Sequence, residues 1–137
     1  MIVVDTQALV WMIEADSRLG RRATGLIDSE RGEDGAGIAP ITVWEAAMLV
    51  DKQRLTLGRP ITAWFDHVFA APGFVLLPLT TSMAIDAGML PGDIHGDPAD
   101  RMIIATARAL GCPVLTADQK ILAYAKTGHV QAIDARR

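Results

Sequence analysis

Five short apolar runs recur along the chain, with room for a helix between each pair, and that alternation limits the folds open to it. The runs cover residues 2–5, 38–41, 74–79, 113–116 and 130–133. Each is too short for a helix, and Ile2-Val3-Val4 is too uniformly apolar for a strand with one wet face. Strands buried on both sides of a parallel sheet have this character. Helical spacing fills the intervals. Residues 6–13 make a turn or two, and Ser17 is the expected cap of a helix to 29 with Leu19, Ala23, Leu26 and Ile27 on one face. Further helices are expected over 42–53, from Pro60 onward with Ile61, Trp64, Phe65, Val68 and Phe69 at helical spacing, and from a Thr80 or Thr81 cap to 90. Asp97 caps another, with Pro98 at its first position and Gly111 past its last, and residues 118–126 form the final one. Pro40 fits its run only at a sheet edge or strand end. The pattern predicts an α/β fold, a three-layer α/β/α sandwich with a parallel central sheet of about five strands. With no repeat and no dividing linker, residues 1–137 read as a single domain.

Composition narrows the function classes. Thirteen Lys and Arg against sixteen Asp and Glu give a net charge of −3, which argues against a general polyanion-binding surface and makes any nucleic-acid contact local. Two bound divalent ions would reverse that sign. The lone Cys112, beside Pro113, permits no internal disulfide and reads as a small buried hydrophobe in a reducing cytoplasm. No signal-peptide pattern and no uninterrupted apolar span long enough for a membrane helix is present.

Four acids stand where these runs end or the next helix begins. Asp5 closes the first run, Glu45 follows the second, Asp100 opens the helix after Asp97, and Asp118 follows Val114-Leu115-Thr116. In a parallel sheet, ligands bind outside the carboxyl ends of the strands, so all four carboxylates are expected at one edge. Two carboxylates about 5 Å apart repel by roughly 3 kcal/mol at an effective dielectric near 20. Such a gathering calls for a cation or shared protons, and the layout asks for Mg²⁺ or Mn²⁺.

Each acid alone has a structural explanation. Thr42-Val43-Trp44-Glu45 matches a capping box, Asp97-Pro98-Ala99-Asp100 a helix opening, and Asp5 and Asp118 are plausible N-caps. The signal lies in the constellation.

These segments resemble the PIN domain, a family of metal-dependent nucleases, and its VapC-type toxins of bacterial toxin–antitoxin pairs. The opening Ile2-Val3-Val4-Asp5-Thr6 is similar to the family's first motif, and Ile41-Thr42-Val43-Trp44-Glu45 to its second. The most specific stretch is His95-Gly96-Asp97-Pro98-Ala99-Asp100-Arg101-Met102-Ile103-Ile104, followed by Val114-Leu115-Thr116-Ala117-Asp118. The likeness runs through essentially the whole chain. Ala99 departs from it, standing where many relatives carry an aromatic residue, and Asp97 adds a carboxylate beside Asp100. Alignment of the Asp-Arg-hydrophobic stretch makes Asp100 the ligand and Asp97 the cap.

The resemblance implies a Mg²⁺-dependent endoribonuclease, with Mn²⁺ substituting, that inhibits translation and growth by cleaving RNA. Asp5, Asp100 and Asp118 are then the metal ligands, and Glu45 completes the catalytic set by ligating metal or holding the attacking water. Thr6 and Thr116 are candidates for fixing ligand rotamers, and Arg101 for a site role beside Asp100. Arg18, Arg21, Arg22 and Arg54 are further candidate RNA contacts. His95 is a weaker candidate, and His67 and His129 read as packing or surface residues. Implied partners are the RNA substrate, a small cognate antitoxin and a second copy of the chain, with Trp44, Met48, Leu49, Trp64, Phe65 and Phe69 supplying apolar surface for the core or a partner. The alternatives are a PIN-type nuclease acting in RNA processing or on DNA without an antitoxin, and a non-catalytic receiver-like module. A receiver would want a second acid beside Asp5, where Thr6 stands.

Overall fold

Ile2, Val3 and Val4 form β1 (Ile2–Val4), and all three are essentially inaccessible to solvent. In the computed structural model, which describes residues 1–94 and 96–137, β1 is the middle strand of a five-stranded sheet. His95 lies outside the described residues. The other strands are β2 (Ala36–Ile38), β3 (Phe74–Leu76), β4 (Val114–Thr116) and β5 (Ala132–Asp134). Their order is β3-β2-β1-β4-β5 and every pairing is parallel. The helices are α1 (Thr6–Ile13), α2 (Arg21–Arg31), α3 (Pro40–Asp51), α4 (Ile61–Ala70), α5 (Thr81–Gly88), α6 (Pro98–Leu110) and α7 (Gln119–Ala125).

Alternation along the strands separates two cores. Ile2, Val4, Ala36, Ile38 and Leu115 face the layer of α1, α2 and α4, where Leu9, Trp11, Ile27, Trp64 and Val68 are buried. Val3 and Val114 face α5, α6 and α7, through Ala87, Ile103, Ile104, Ala107, Ile121 and Tyr124. Each such aliphatic side chain contributes about 1.5–3 kcal/mol on burial. That two-sided demand is why the inner strands β1, β2 and β4 are buried along their whole length, and the three-layer parallel α/β expectation holds.

Several boundaries differ from expectation. Pro40 begins α3 rather than ending a strand, because a fixed φ and a missing N–H suit the first helical position. Ala39 is therefore the cap, and the capping box expected over Thr42 to Glu45 does not form; Glu45 sits in the second turn. Pro60 precedes α4 as its cap. β3 stops at Leu76, and β5 lies later than expected, over Ala132–Asp134.

Ser17 does not cap α2. The cap is Gly20, which offers no side chain, and the amide of Ala23 instead donates to the carbonyl of Arg137 at 2.8 Å. Gly20 N–H itself donates to the Ala135 carbonyl at 2.9 Å. A Cβ at Gly20 would lie 2.0 Å from the Arg137 oxygen, so only glycine admits this backbone approach. Residues 135–137 are thereby fixed against the start of α2.

Trp64 and Phe65 are buried as expected of core residues, but Trp44 is 56% exposed on α3. Among the described residues no helix is long and apolar enough to cross a membrane.

Candidate active site

The sheet order reverses between β1 and β4: β2 and β3 extend it one way from β1, and β5 extends it the other way from β4. Open parallel sheets bind ligands at such a switch point, outside the carboxyl ends of the strands. Asp5 immediately follows β1 and Asp118 lies just beyond β4. The two strands are registered Val3 to Val114 and Val4 to Leu115 and continued by an Asp5 N–H to Leu115 carbonyl bond of 3.1 Å. α3 carries Glu45 to the same place, and α6 carries Asp100 in its first turn. A cleft of about 350 Å³ is lined by all four acids together with Thr6, Gln7, Trp11, Arg18, Leu49, Asp97 and Arg136.

Caps and site coincide. Asp5 caps α1, its Oδ1 accepting the Ala8 amide at 2.9 Å. Asp118 caps α7, its Oδ1 accepting the amides of Lys120 at 2.7 Å and Ile121 at 3.1 Å. Asp97 caps α6, its Oδ1 accepting Ala99 N–H at 2.9 Å. A carboxylate has lone pairs for about four bonds, so a cap that uses one or two of them leaves others for a ligand. The structural and functional readings of these acids are therefore compatible.

Buried Thr116 links two of the acids. Its hydroxyl donates to Asp5 Oδ2 and accepts the Asp118 amide N–H at 2.9 Å. Asp5 is thus bonded on both oxygens, and its rotamer is fixed. Thr6, buried beside Glu45, has its Oγ1 3.4 Å from Thr42 Oγ1, and its hydroxyl opposes the upward shift of the Glu45 carboxyl. Among the described residues no three acidic, imidazole or thiol side chains already close on a single point, so holding an ion requires rotation of the less constrained acids.

Electrostatics follow from burial and crowding. Burial pushes Asp5 up to about 6, against the opposing Thr116 and Ala8 hydrogen bonds, with Asp118 and Glu45 adding repulsion. Asp100 is pushed up to about 7, again chiefly by burial, then by Asp118, Asp97, Glu45 and Asp5. Asp100 is less buried than Asp5 yet shifted further, because no described group donates a hydrogen bond to its carboxylate. Glu45 is also raised, by burial first and then by Asp97 and Asp118. This is the charge imbalance expected of a site built for a cation.

Of the other candidates, Arg18 reaches the cleft, paired to Asp16 at 2.7 Å and lying over Trp11 at 5.2 Å. Arg101 does not line it. Its guanidinium donates to the carbonyls of Ala87 at 2.9 Å and Ile94 at 3.3 Å, tying α5 to the loop before α6, so the structure gives it a bracing role rather than the site role expected from its neighbour. Arg21, Arg54, His67 and His129 also lie outside the cleft, His129 packing against Tyr124.

Sequence reasoning missed Gln7, Trp11, Leu49 and Arg136. Arg136 lies two residues past β5, held by a 2.8 Å bond from its guanidinium to the Ala117 carbonyl. The signal was available, since the strand-end logic that selected Asp5 and Asp118 applies equally to the end of β5. Leu49 is four residues after Glu45 on α3 and shares its face.

These features define an open parallel α/β protein with an acidic site at its switch point. A family model described as PIN domain matches residues 2–127, and the chain belongs to that family. It is similar to Ribonuclease VapC22 of Mycobacterium tuberculosis, 29% identical over 123 residues that make up 90% of this chain and 91% of the relative. Among solved structures it resembles VapBC2 from Rickettsia felis bound to a promoter DNA fragment, with a TM-score of 0.69 at 16% identity, covering 97% of this chain and 98% of that one. It also resembles FitAcB from Neisseria gonorrhoeae, with a TM-score of 0.67 at 20% identity over 98% of each chain.

Proposed function

We propose that the protein is a divalent-metal-dependent endoribonuclease, the toxin of a toxin–antitoxin pair that arrests translation and growth. The observation that carries this reading is the convergence of Asp5, Glu45, Asp100 and Asp118, four acids from distant parts of the chain, on one cleft. The likeness to a relative named as a ribonuclease supports it, as does the fold shared with chains of toxin–antitoxin complexes.

A donor set of carboxylate oxygens suits Mg²⁺, with Mn²⁺ able to replace it. Asp5, Asp100 and Asp118 would hold the ion, and Glu45 would complete the site. Bound there, the ion supplies neutralisation of the scissile phosphate and acidification of water. The chain does the rest. Thr116 presents Asp5 in a fixed rotamer, and Glu45, raised and facing the other acids, accepts the proton of the attacking water. Arg136 and Arg18 flank the acids and meet phosphate oxygens on either side. Asp97 maintains the start of α6, which keeps Asp100 on the cleft.

The partner reading is an antitoxin segment seated against the cleft and a second copy of this chain. The exposed apolar side chains Val75, Leu76, Ile85 and Met89, on the edge strand β3, on α5 and just past it, suit such contacts. A single cysteine and the lack of a membrane-crossing helix among the described residues are compatible with the cytoplasm.

The experiment is expression and in vitro cleavage with wild type and Asp5→Asn. Wild type is expected to arrest growth and to cut RNA only when Mg²⁺ or Mn²⁺ is added, and the variant to do neither. Undiminished cutting by Asp5→Asn, or no cutting by wild type in Mn²⁺, overturns the reading. Cleavage of DNA but not RNA would favour the nuclease without an antitoxin.

A further inference from the structure

β5 is the free edge strand on one side of the sheet, and a groove of about 780 Å³ runs along it, more than twice the volume of the acidic cleft. Its walls are β5, the length of α7 from Gln119 to Ala125, and the start of α2 with Arg137. α7 begins at the cleft, where Asp118 caps it, and runs back along β5. The groove therefore starts at the acidic edge and leads away for about 10 Å, the length of a seven-residue helix.

Its charge is opposite to that of the cleft. Arg22, Lys126 and Arg137 line it, and none forms a side-chain ion pair among the described residues. The one acid in its lining, Asp134, is already engaged by Arg136, through a 2.9 Å bond from the Arg136 amide and a guanidinium contact of 3.9 Å. Arg136 itself lines the cleft, so cations continue from the groove into the site. In a chain of net charge −3, three unneutralised cations in one groove are a concentration that composition alone does not predict. The lining contains no aromatic side chain on which a base would stack, so the groove is suited to a backbone rather than to bases.

We propose that the groove between α7 and the free edge of β5 is a phosphate track. It holds the single-stranded RNA flanking the scissile bond through Arg22, Lys126 and Arg137, without reading its sequence. The proposal rests on the nuclease reading for the identity of the polyanion, and its test does not depend on cleavage. The acidic cleft repels the substrate's phosphates, and the track supplies attraction beside it.

Binding of a uridine 12-mer is measured in EDTA over a series of salt concentrations, for wild type and for the triple variant Arg22→Gln, Lys126→Gln, Arg137→Gln. The variant is expected to lose about tenfold or more in affinity near 100 mM salt, and its log–log salt slope to fall by about 2, as removal of three phosphate contacts on a single strand requires. A cytidine 12-mer is expected to give the same change. A control variant carrying Lys52→Gln and Arg59→Gln, both exposed on the loop after α3, is expected to bind as wild type does. Circular dichroism and thermal melting establish that both variants are folded. An unchanged slope in the folded groove variant overturns the proposal, and it is also the result that a groove reserved for a protein strand would give. Equal losses in the two variants overturn it too, by assigning the effect to diffuse charge. If wild type binds the 12-mer with the expected salt dependence but cleaves no RNA in Mn²⁺, the nuclease reading fails while the track stands.

Discussion

Thr116 donates its hydroxyl hydrogen to the Asp5 carboxylate, a buried bond between residues 111 positions apart. It fixes the acid closing β1 to the strand that carries Asp118, and so sets the spacing of two site acids from inside the protein. Thr116→Val keeps the shape and removes the donor. At pH 8 the variant is expected to lose about 1–3 kcal/mol in urea unfolding, the cost of leaving a buried acceptor unsatisfied. The loss should shrink at pH 5, where Asp5 is protonated, and the acid limb of the cleavage–pH profile should move upward. A pH-independent loss would assign the effect to the lost Asp118 amide bond and to packing rather than to Asp5.

Stability should fall with rising pH when no metal is bound. Asp5 at about 6 and Asp100 at about 7 both lie above the ordinary value of 3.8. Between that value and the raised ones the folded protein keeps protons that the unfolded chain has released, so stability declines through this window and is lowest above it. For Asp5 alone the difference is on the order of 3 kcal/mol. Asp16, held down to about 2 by Arg18, contributes in the opposite sense only in stronger acid, outside the window. Melting in EDTA should therefore occur at a higher temperature at pH 5 than at pH 8, Mn²⁺ should restore stability at pH 8, and Asp100→Asn should flatten the profile. Greater stability at pH 8 in EDTA would contradict this account.

Asp97 and Asp100 should separate by function. Asp97→Ala removes the α6 cap and is expected to cost about 1 kcal/mol of stability, with cleavage reduced only as far as the helix start loosens. Asp100→Asn should abolish metal-dependent cleavage by two orders of magnitude or more while leaving the metal-free protein at least as stable. Parallel urea titrations and cleavage rates decide it, and the reverse pattern would exchange the two roles.

Gly20→Ala tests the support of the cation at the end of β5. The added Cβ has to displace the Arg137 carbonyl that caps α2. A loss of about 1–3 kcal/mol is expected, and a fall in cleavage should accompany it because Arg136 shares that segment. Wild-type behaviour in both measurements would show that residues 135–137 do not position the site.

Much of this was legible in the sequence for a physical reason. A strand buried on both faces is mostly apolar, so Ile2-Val3-Val4 and Val114-Leu115 declare themselves, and the acids just beyond them inherit a common edge. Asp97, Pro98 and Gly111 bracket α6 by local chemistry that needs no tertiary partner. Illegible features were those decided by distant contacts. Ser17 looks like a cap, but the cap is a carbonyl from Arg137, more than a hundred positions later. Thr42 looks like the start of a helix, but Pro40 starts it first. Arg101 looks like a site residue by adjacency, yet successive helix residues point in different directions and its side chain turns to α5.

The strand order has a consequence for assembly. Asp5 and Glu45 are supplied by the half of the chain that builds β1 to β3, and Asp100 and Asp118 by the half that completes β4 and β5. Neither half holds the full quartet, and joining them requires the long-range closure that makes parallel topologies slow to fold. A chain folded only through β3 thus lacks two of the four acids of the cleft, and any opening that parts β4 from β1 separates Asp118 from Asp5.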